Sequence, residues 1–191
     1  MLVVFGGLPG TGKTTIAREV ARRRGAFYVR IDTIEHSIRA GVPGGEIGVA
    51  GYAVAMALAR ENLSVGQIVV ADAVNPVPEA RDAWRNIAAK LSARLIEIEV
   101  VCSDALEHRR RVEARHAAWM AARDATGNAV GGDAIPHATA GATTADLAQP
   151  TWDDVLKRHY VPWSEDHWVI DTALSSAEQA VAAICARMSA S

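Results

Sequence analysis

Short apolar runs alternate along the chain with segments whose apolar residues recur every three or four positions. The runs cover 2–6, 27–31, 67–72, 94–101 and 167–171, and they are followed by helix-period segments at 13–24, 33–40, 76–92, 104–115 and 175–188. Runs of this length bounded by turn residues predict strands, and the periodic segments predict helices. Parallel strands need crossover connections and helices supply them, so five strand–helix pairs predict an α/β fold with helices on both faces of a parallel sheet. A further helix is predicted over 49–62, where Tyr52, Val54, Met56, Leu58 and Ala59 provide the apolar positions. It falls between the second and third strands and is expected to flank the substrate side.

Two stretches interrupt the alternation. Residues 41–48 hold four glycines and a proline and predict a loop. Residues 117–150 carry Gly127, Gly131, Gly132 and Gly141 among alanines and threonines with little apolar periodicity. Such a long irregular insertion predicts a lid, and a lid region over about 104–150 is expected within one domain spanning 1–191.

Half of the 191 residues are apolar, enough for one core and too few for two full domains. A net charge of -2 argues against a surface built mainly to hold a polyanion. Cys102 and Cys185 lie far apart without C-x-x-C spacing, which is the usage of a reducing compartment where thiols pack as small apolar groups. The start of the chain reads as a strand rather than a leader, and no apolar run reaches bilayer length. A soluble, cytoplasmic protein with no membrane partner is expected.

Between the first strand and the first helix stands Gly7-Leu8-Pro9-Gly10-Thr11-Gly12-Lys13-Thr14, which fits G-x-x-x-x-G-K-[ST] without a mismatch. The glycines let successive backbone N–H groups turn onto a β-phosphate, and the helix dipole behind them adds to the attraction. In this reading Lys13 reaches the β- and γ-phosphates, Thr14 supplies a hydroxyl to Mg²⁺ and Thr15 contacts the α-phosphate. ATP with Mg²⁺ is the expected cofactor pair. No Asn-Lys-x-Asp guanine-reading element and no Ser-Gly-Gly signature occur, so GTPase and transporter readings fade. The run Val69-Val70-Ala71-Asp72 resembles a Walker B strand, but Ala73 stands where hydrolytic ATPases carry a water-orienting Glu. Transfer to a bound acceptor fits better than hydrolysis.

An acceptor hydroxyl needs a base beside the γ-phosphate. Asp32, following strand 27–31, is the candidate; its alternative role is to cap the next helix. Arg39 is a candidate for an anionic part of the acceptor or for the transferring phosphoryl, Asp72 for Mg²⁺ through water or for the acceptor, and Asn75 for the acceptor. Arg109, Arg110, Arg111 and Arg115 cluster on 104–115, with Arg111 and Arg115 one turn apart on one helix face. Arginines arriving from a lid stabilise charge on a transferring phosphoryl. The six histidines show no metal-site spacing. Trp152 and Trp163 flank a proline-containing connection and are candidates for an acceptor wall.

With these residues placed, the chain resembles the small P-loop kinases of the AAA_33 / zeta-toxin-like group. That group includes the 5′-kinase domain of phage polynucleotide kinase, chloramphenicol phosphotransferase, and the gluconate and adenylylsulfate kinases. The resemblance implies sheet order 2-3-1-4-5, Asp32 as general base, and Arg111 and Arg115 on the phosphates. The run Asp72-Ala73-Val74-Asn75-Pro76 looks like the Asp-Thr-Asn run with which polynucleotide kinases position their acceptor. Those kinases keep an Arg three residues after the base, where this chain has Glu35. A kinase for a small hydroxylated molecule is therefore the first expectation, a polynucleotide 5′-hydroxyl kinase the second, and a nucleotide-binding switch with negligible transfer the third.

Overall fold

The computed structural model describes residues 1–41, 48–125 and 149–190. Its described elements run β1 (Leu2–Gly6), α1 (Lys13–Arg24), β2 (Phe27–Arg30), α2 (Ile31–Gly41), α3 (Ala50–Ser64), β3 (Val69–Asp72), α4 (Pro78–Lys90), β4 (Leu95–Val101), α5 (Ala105–Ala125), α6 (Trp152–Lys157), β5 (Trp168–Asp171) and α7 (Ala177–Ser189). The five strands form one parallel sheet in the order β2-β3-β1-β4-β5. The α/β class and strand order expected from the sequence are both present.

β1 is the middle strand and is buried along its whole length. Because successive side chains point to opposite faces, it feeds two cores. Val3 and Phe5 join Ile16 and Val20 of α1, Ile98, and Ile184 of α7. Leu2 and Val4 join Val69 and Ala71 on the other face with Trp84 and Ile87 of α4 and Ala55 and Ala59 of α3. A sheet covered on both sides leaves its strand ends as the open ground, and the loops after β1 and β3 and the start of α2 emerge at one such edge.

Three boundaries differ from expectation. β2 stops at Arg30 and α2 starts at once with Ile31, so Asp32 lies in a first helical turn rather than in a connecting loop. α5 continues through 117–125, the start of the expected lid, because Ala117, Ala118, Ala121 and Ala122 are strong helix formers whose small side chains give little apolar period to read. The rest of that lid, 126–148, lies outside the described residues, as do 42–47 of the glycine-rich loop. α6 was not expected: it is only six residues long, started by a capping box of Thr151 and Asp154. Among the described residues no helix is long and apolar enough to cross a membrane.

Candidate active site

The loop after β1 turns on glycines that no other residue would replace. Gly7 has φ 128, and a Cβ there would meet the Val100 carbonyl oxygen at 2.2 Å. Gly10 has φ 91 and lies against α5, where a Cβ would come within 2.4 Å of Val112. The loop is tied down on several sides. Gly7 N–H donates to the Val74 carbonyl at 3.1 Å. Thr11 Oγ1 donates to the Leu8 carbonyl at 2.9 Å, and the Thr11 carbonyl accepts from Thr172 Oγ1 at 2.8 Å. His108 Nε2 lies 2.8 Å from the Pro9 carbonyl oxygen, which makes it the donor. α1 begins from Gly12 with no side-chain cap, so the N–H groups of its first turn point at the loop's mouth without an acceptor from a capping residue.

Lys13 is buried at the head of this turn and donates to Asp72 Oδ1 at 2.7 Å. Tyr28 donates its hydroxyl to Asp72 Oδ2 at 2.7 Å, so both carboxylate oxygens are engaged. Burial alone would raise the Asp72 pKa; the Lys13 ammonium, Tyr28 and Arg30 overcome it and hold the carboxyl below its ordinary value. Burial and the neighbouring Asp72 charge in turn push the Tyr28 phenol upward.

A cleft of about 300 Å³ opens from the loop, floored by Gly10, Gly12, Lys13, Thr14 and Thr15. Its opposite wall is α2, with Asp32, Glu35, His36 and Arg39, while Arg30, Arg115, Pro150 and Arg158 close the sides. Leu8 and Pro9 of the loop also line it. Asp32 keeps a side chain 45% exposed and accepts from Arg30 Nη2 at 2.9 Å, so a bonded carboxylate still presents surface to the cleft. Burial raises the Glu35 pKa, opposed by Arg39 at 3.5 Å. A second cleft continues behind Arg30 and Arg115 over Thr14, Thr15 and Arg18 to Trp119 and α7.

The sequence profile of AAA_33, an AAA domain, matches residues 2–131. The chain belongs to this family. Its sequence is 35% identical over 109 residues to the uncharacterized proteins Rv2004c of Mycobacterium tuberculosis strain H37Rv and Mb2027c of Mycobacterium bovis, a match covering 50% of this chain and 22% of each relative. The AAA_33 chain also superposes on solved structures. Mycobacterium tuberculosis APS kinase CysC, in complex with AMPPNP and APS, gives TM-score 0.61 at 18% identity over 98% of this chain and 97% of that one. Chaetomium thermophilum Kti12, in complex with ADP-AlF3, gives 0.66 at 17% identity over the whole of both chains, 100% each. A gluconokinase from Sinorhizobium meliloti gives 0.54 at 17% identity over 97% and 91%. The fold of this AAA_33 member is that of the small P-loop kinases.

Set on this fold, the residues singled out in the sequence fall into two groups. Leu8, Pro9, Gly10 and Gly12 through Thr15 share the main cleft with Asp32, Arg39 and Arg115, whereas Gly7, Thr11 and the buried Asp72 do not line it. Asn75, expected to face an acceptor, does not: it is fully buried, its amide donating to the Phe5 carbonyl at 2.9 Å and accepting from Trp84 Nε1 at 3.1 Å. Its φ of 50 also fits an Asn that turns the chain after β3. Arg81 completes that turn, hydrogen-bonding the carbonyls of Asn75, Pro76, Val161 and Pro162. Arg111, expected on the phosphates with Arg115, instead bonds Glu107 at 2.7 Å and Thr172 Oγ1 at 2.8 Å, bracing the strut that holds the Thr11 carbonyl. Arg109 and Arg110 pair with Glu113 and Glu107 on the outer face. Trp163 lies under Gly6 and Trp152 sits edge-on to His108, so neither lines the cleft. Residues that the sequence did not mark also line the clefts, among them Arg30, His36 and Arg158 in the main one and Arg18 and Trp119 in the second. None of these carried a local signal; Arg30 is the last residue of β2 only once the structure ends that strand one position earlier than expected.

Proposed function

We propose that this chain is an ATP-dependent phosphotransferase that moves the γ-phosphate of Mg²⁺·ATP to a hydroxyl of a small acceptor. The observation that carries the reading is that Lys13, Thr14 and the unencumbered face of Asp32 open into one cleft of about 300 Å³. The loop's glycines, the uncapped first turn of α1 and the buried ammonium fit a triphosphate. Thr14 would hold Mg²⁺, which neutralises charge building between the β- and γ-oxygens. Lys13 turning from Asp72 to the phosphates would free Asp72 Oδ1 for a metal-bound water. Asp32 takes the proton from the acceptor hydroxyl as the oxygen–phosphorus bond forms and the bond to ADP breaks. Arg115, brought in by α5, offsets negative charge on the transferring phosphoryl. Family membership and the kinase fold of the structural neighbours support the transfer chemistry.

The test is transfer of labelled γ-phosphate from ATP to a pool of small hydroxylated molecules, with a 5′-hydroxyl oligonucleotide run in parallel. Label on a small molecule is expected, and Asp32→Asn should lower its rate roughly 10²–10⁴-fold while ATP affinity changes less than about threefold. Label on the oligonucleotide alone replaces the acceptor; unchanged transfer by Asp32→Asn removes the base from this scheme.

A further inference from the structure

Two arginines that line the cleft carry buried guanidinium nitrogens with no hydrogen-bond acceptor among the described residues. Arg30 ends β2 with its side chain only 9% exposed. Its Nη2 donates to Asp32, but Nε and Nη1 are buried without a hydrogen-bond partner among the described residues, Nε standing 3.7 Å from Asp72 Oδ2. Arg115, entering from α5 across the same cleft, also has a buried Nε without a partner among the described residues. Burial and the charge of Arg30 lower the Arg115 pKa, with Asp32 opposing. Buried donors without acceptors and like charges facing one another are both costly arrangements, and an anion between them relieves both.

We propose that Arg30 and Arg115 frame a second oxyanion site beside Asp32, which holds a phosphate, sulfate or carboxylate group carried by the acceptor. The triphosphate has its own donors in Lys13 and the first turn of α1. Arg30 instead stands on the edge strand, separated from β1 by β3, and is hydrogen-bonded to the candidate base. An anion held by Arg30 therefore lies on the base's side of the cleft, beside the carboxylate that receives the proton. Such an anchor fixes a small acceptor so that its hydroxyl meets Asp32, which is how binding energy away from the reacting atoms serves orientation. Arg115 forms the wall shared with the transferring phosphoryl. Arg39 and Arg158 add positive charge that draws an anionic acceptor inward, against Glu35 and Asp32 among the described lining residues. Arginine suits this task better than lysine because its planar fork meets two oxygens at once.

The inference rests on the phosphotransferase reading only for what the anion belongs to, and its test needs no turnover. Wild-type protein is saturated with Mg²⁺·AMPPNP, filling the loop, and titrated calorimetrically with sodium sulfate at constant ionic strength. One sulfate per chain is expected, bound at least tenfold more weakly by Arg30→Gln, while AMPPNP affinity stays within about threefold. Arg30→Lys keeps a charge between Asp32 and Asp72 without the fork; it is expected to be intermediate and takes the place of the Gln variant should that not fold. Sulfate binding that is absent, that vanishes once AMPPNP is bound, or that is indifferent to both substitutions overturns the site. A chain that binds sulfate through Arg30 yet phosphorylates nothing in the acceptor pool keeps the site and loses the transferase reading. Transfer to uncharged alcohols with no sulfate binding does the reverse.

Discussion

Asp72 is held by three different chemistries at once: an ammonium, a phenol and a nearby guanidinium, in a place with no exposure to water. A carboxylate kept below its ordinary value of 3.8 contributes stability that is complete above that pH and is lost as the pH falls through the lower, folded value. Asp72→Asn leaves Lys13 buried and unpaired, so it should cost roughly 3–5 kcal/mol at pH 7 by chemical denaturation. The gap between the two proteins should narrow as the pH drops below about 4, because protonated Asp72 abandons Lys13 in the same way. A gap that stays constant down to pH 2 would remove the ion pair from the account. Lys13 and Asp32 were legible in the sequence because a phosphate loop and a post-strand carboxylate are local patterns. Arg30 was not, since what marks it is nitrogens lacking partners, and partners are a property of the assembled site. Asn75 misled for the same reason: beside a functional-looking Asp, nothing local says that its amide spans Phe5 and Trp84.

The decisive element is α5. Its first turns lean on the phosphate loop through Val112 and His108, its middle delivers Arg115 to the cleft, and its later residues bring Trp119 to the second cleft. Gly10 is where loop and helix touch most closely, so Gly10→Ala combines a strained φ with a clash against Val112. It should destabilise the protein by roughly 1–3 kcal/mol and weaken ATP binding at least tenfold. Pairing it with Val112→Ala, which opens space, should recover part of the stability but little of the affinity, since φ stays strained. If the double variant regains full affinity, contact with α5 and not backbone strain was the fault. The helix was legible as far as the arginine cluster, where Glu and Arg alternate with Val112, and became illegible beyond it, where alanines carry neither a polar nor an apolar face. α2 was legible in existence but not in start: β2 passes into it without a loop, so no turn residue announces the boundary.

At the scale of the whole molecule the alternation of runs and periodic segments sufficed for the α/β class, because the strands of a sheet covered on both sides are nearly continuous apolar runs. Strand order is another matter. Nothing in the period of β2 or β3 says which neighbours β1; the order expected came from the likeness to known kinases and is the order observed. A nucleotide that binds only the finished fold stabilises it by mass action, by about 2.7 kcal/mol at a hundred times its dissociation constant. Mg²⁺·ATP at that level should therefore raise Tm by roughly 5–11 °C in a chain of this size. Lys13→Ala should abolish the shift; an equal shift in that variant would place nucleotide binding elsewhere. The central position of β1 has a consequence in time as well. Its hydrogen-bonding partners begin only at Val69 on one side and Leu95 on the other, and every pairing in the sheet is parallel. The segment carrying the phosphate loop closes its first ladder with β3 and its second only with β4, and loop-closure entropy delays such distant contacts. Order in the phosphate loop therefore waits on both neighbours of β1, since Gly7 is tied to Val74 just after β3 and packs against Val100 of β4.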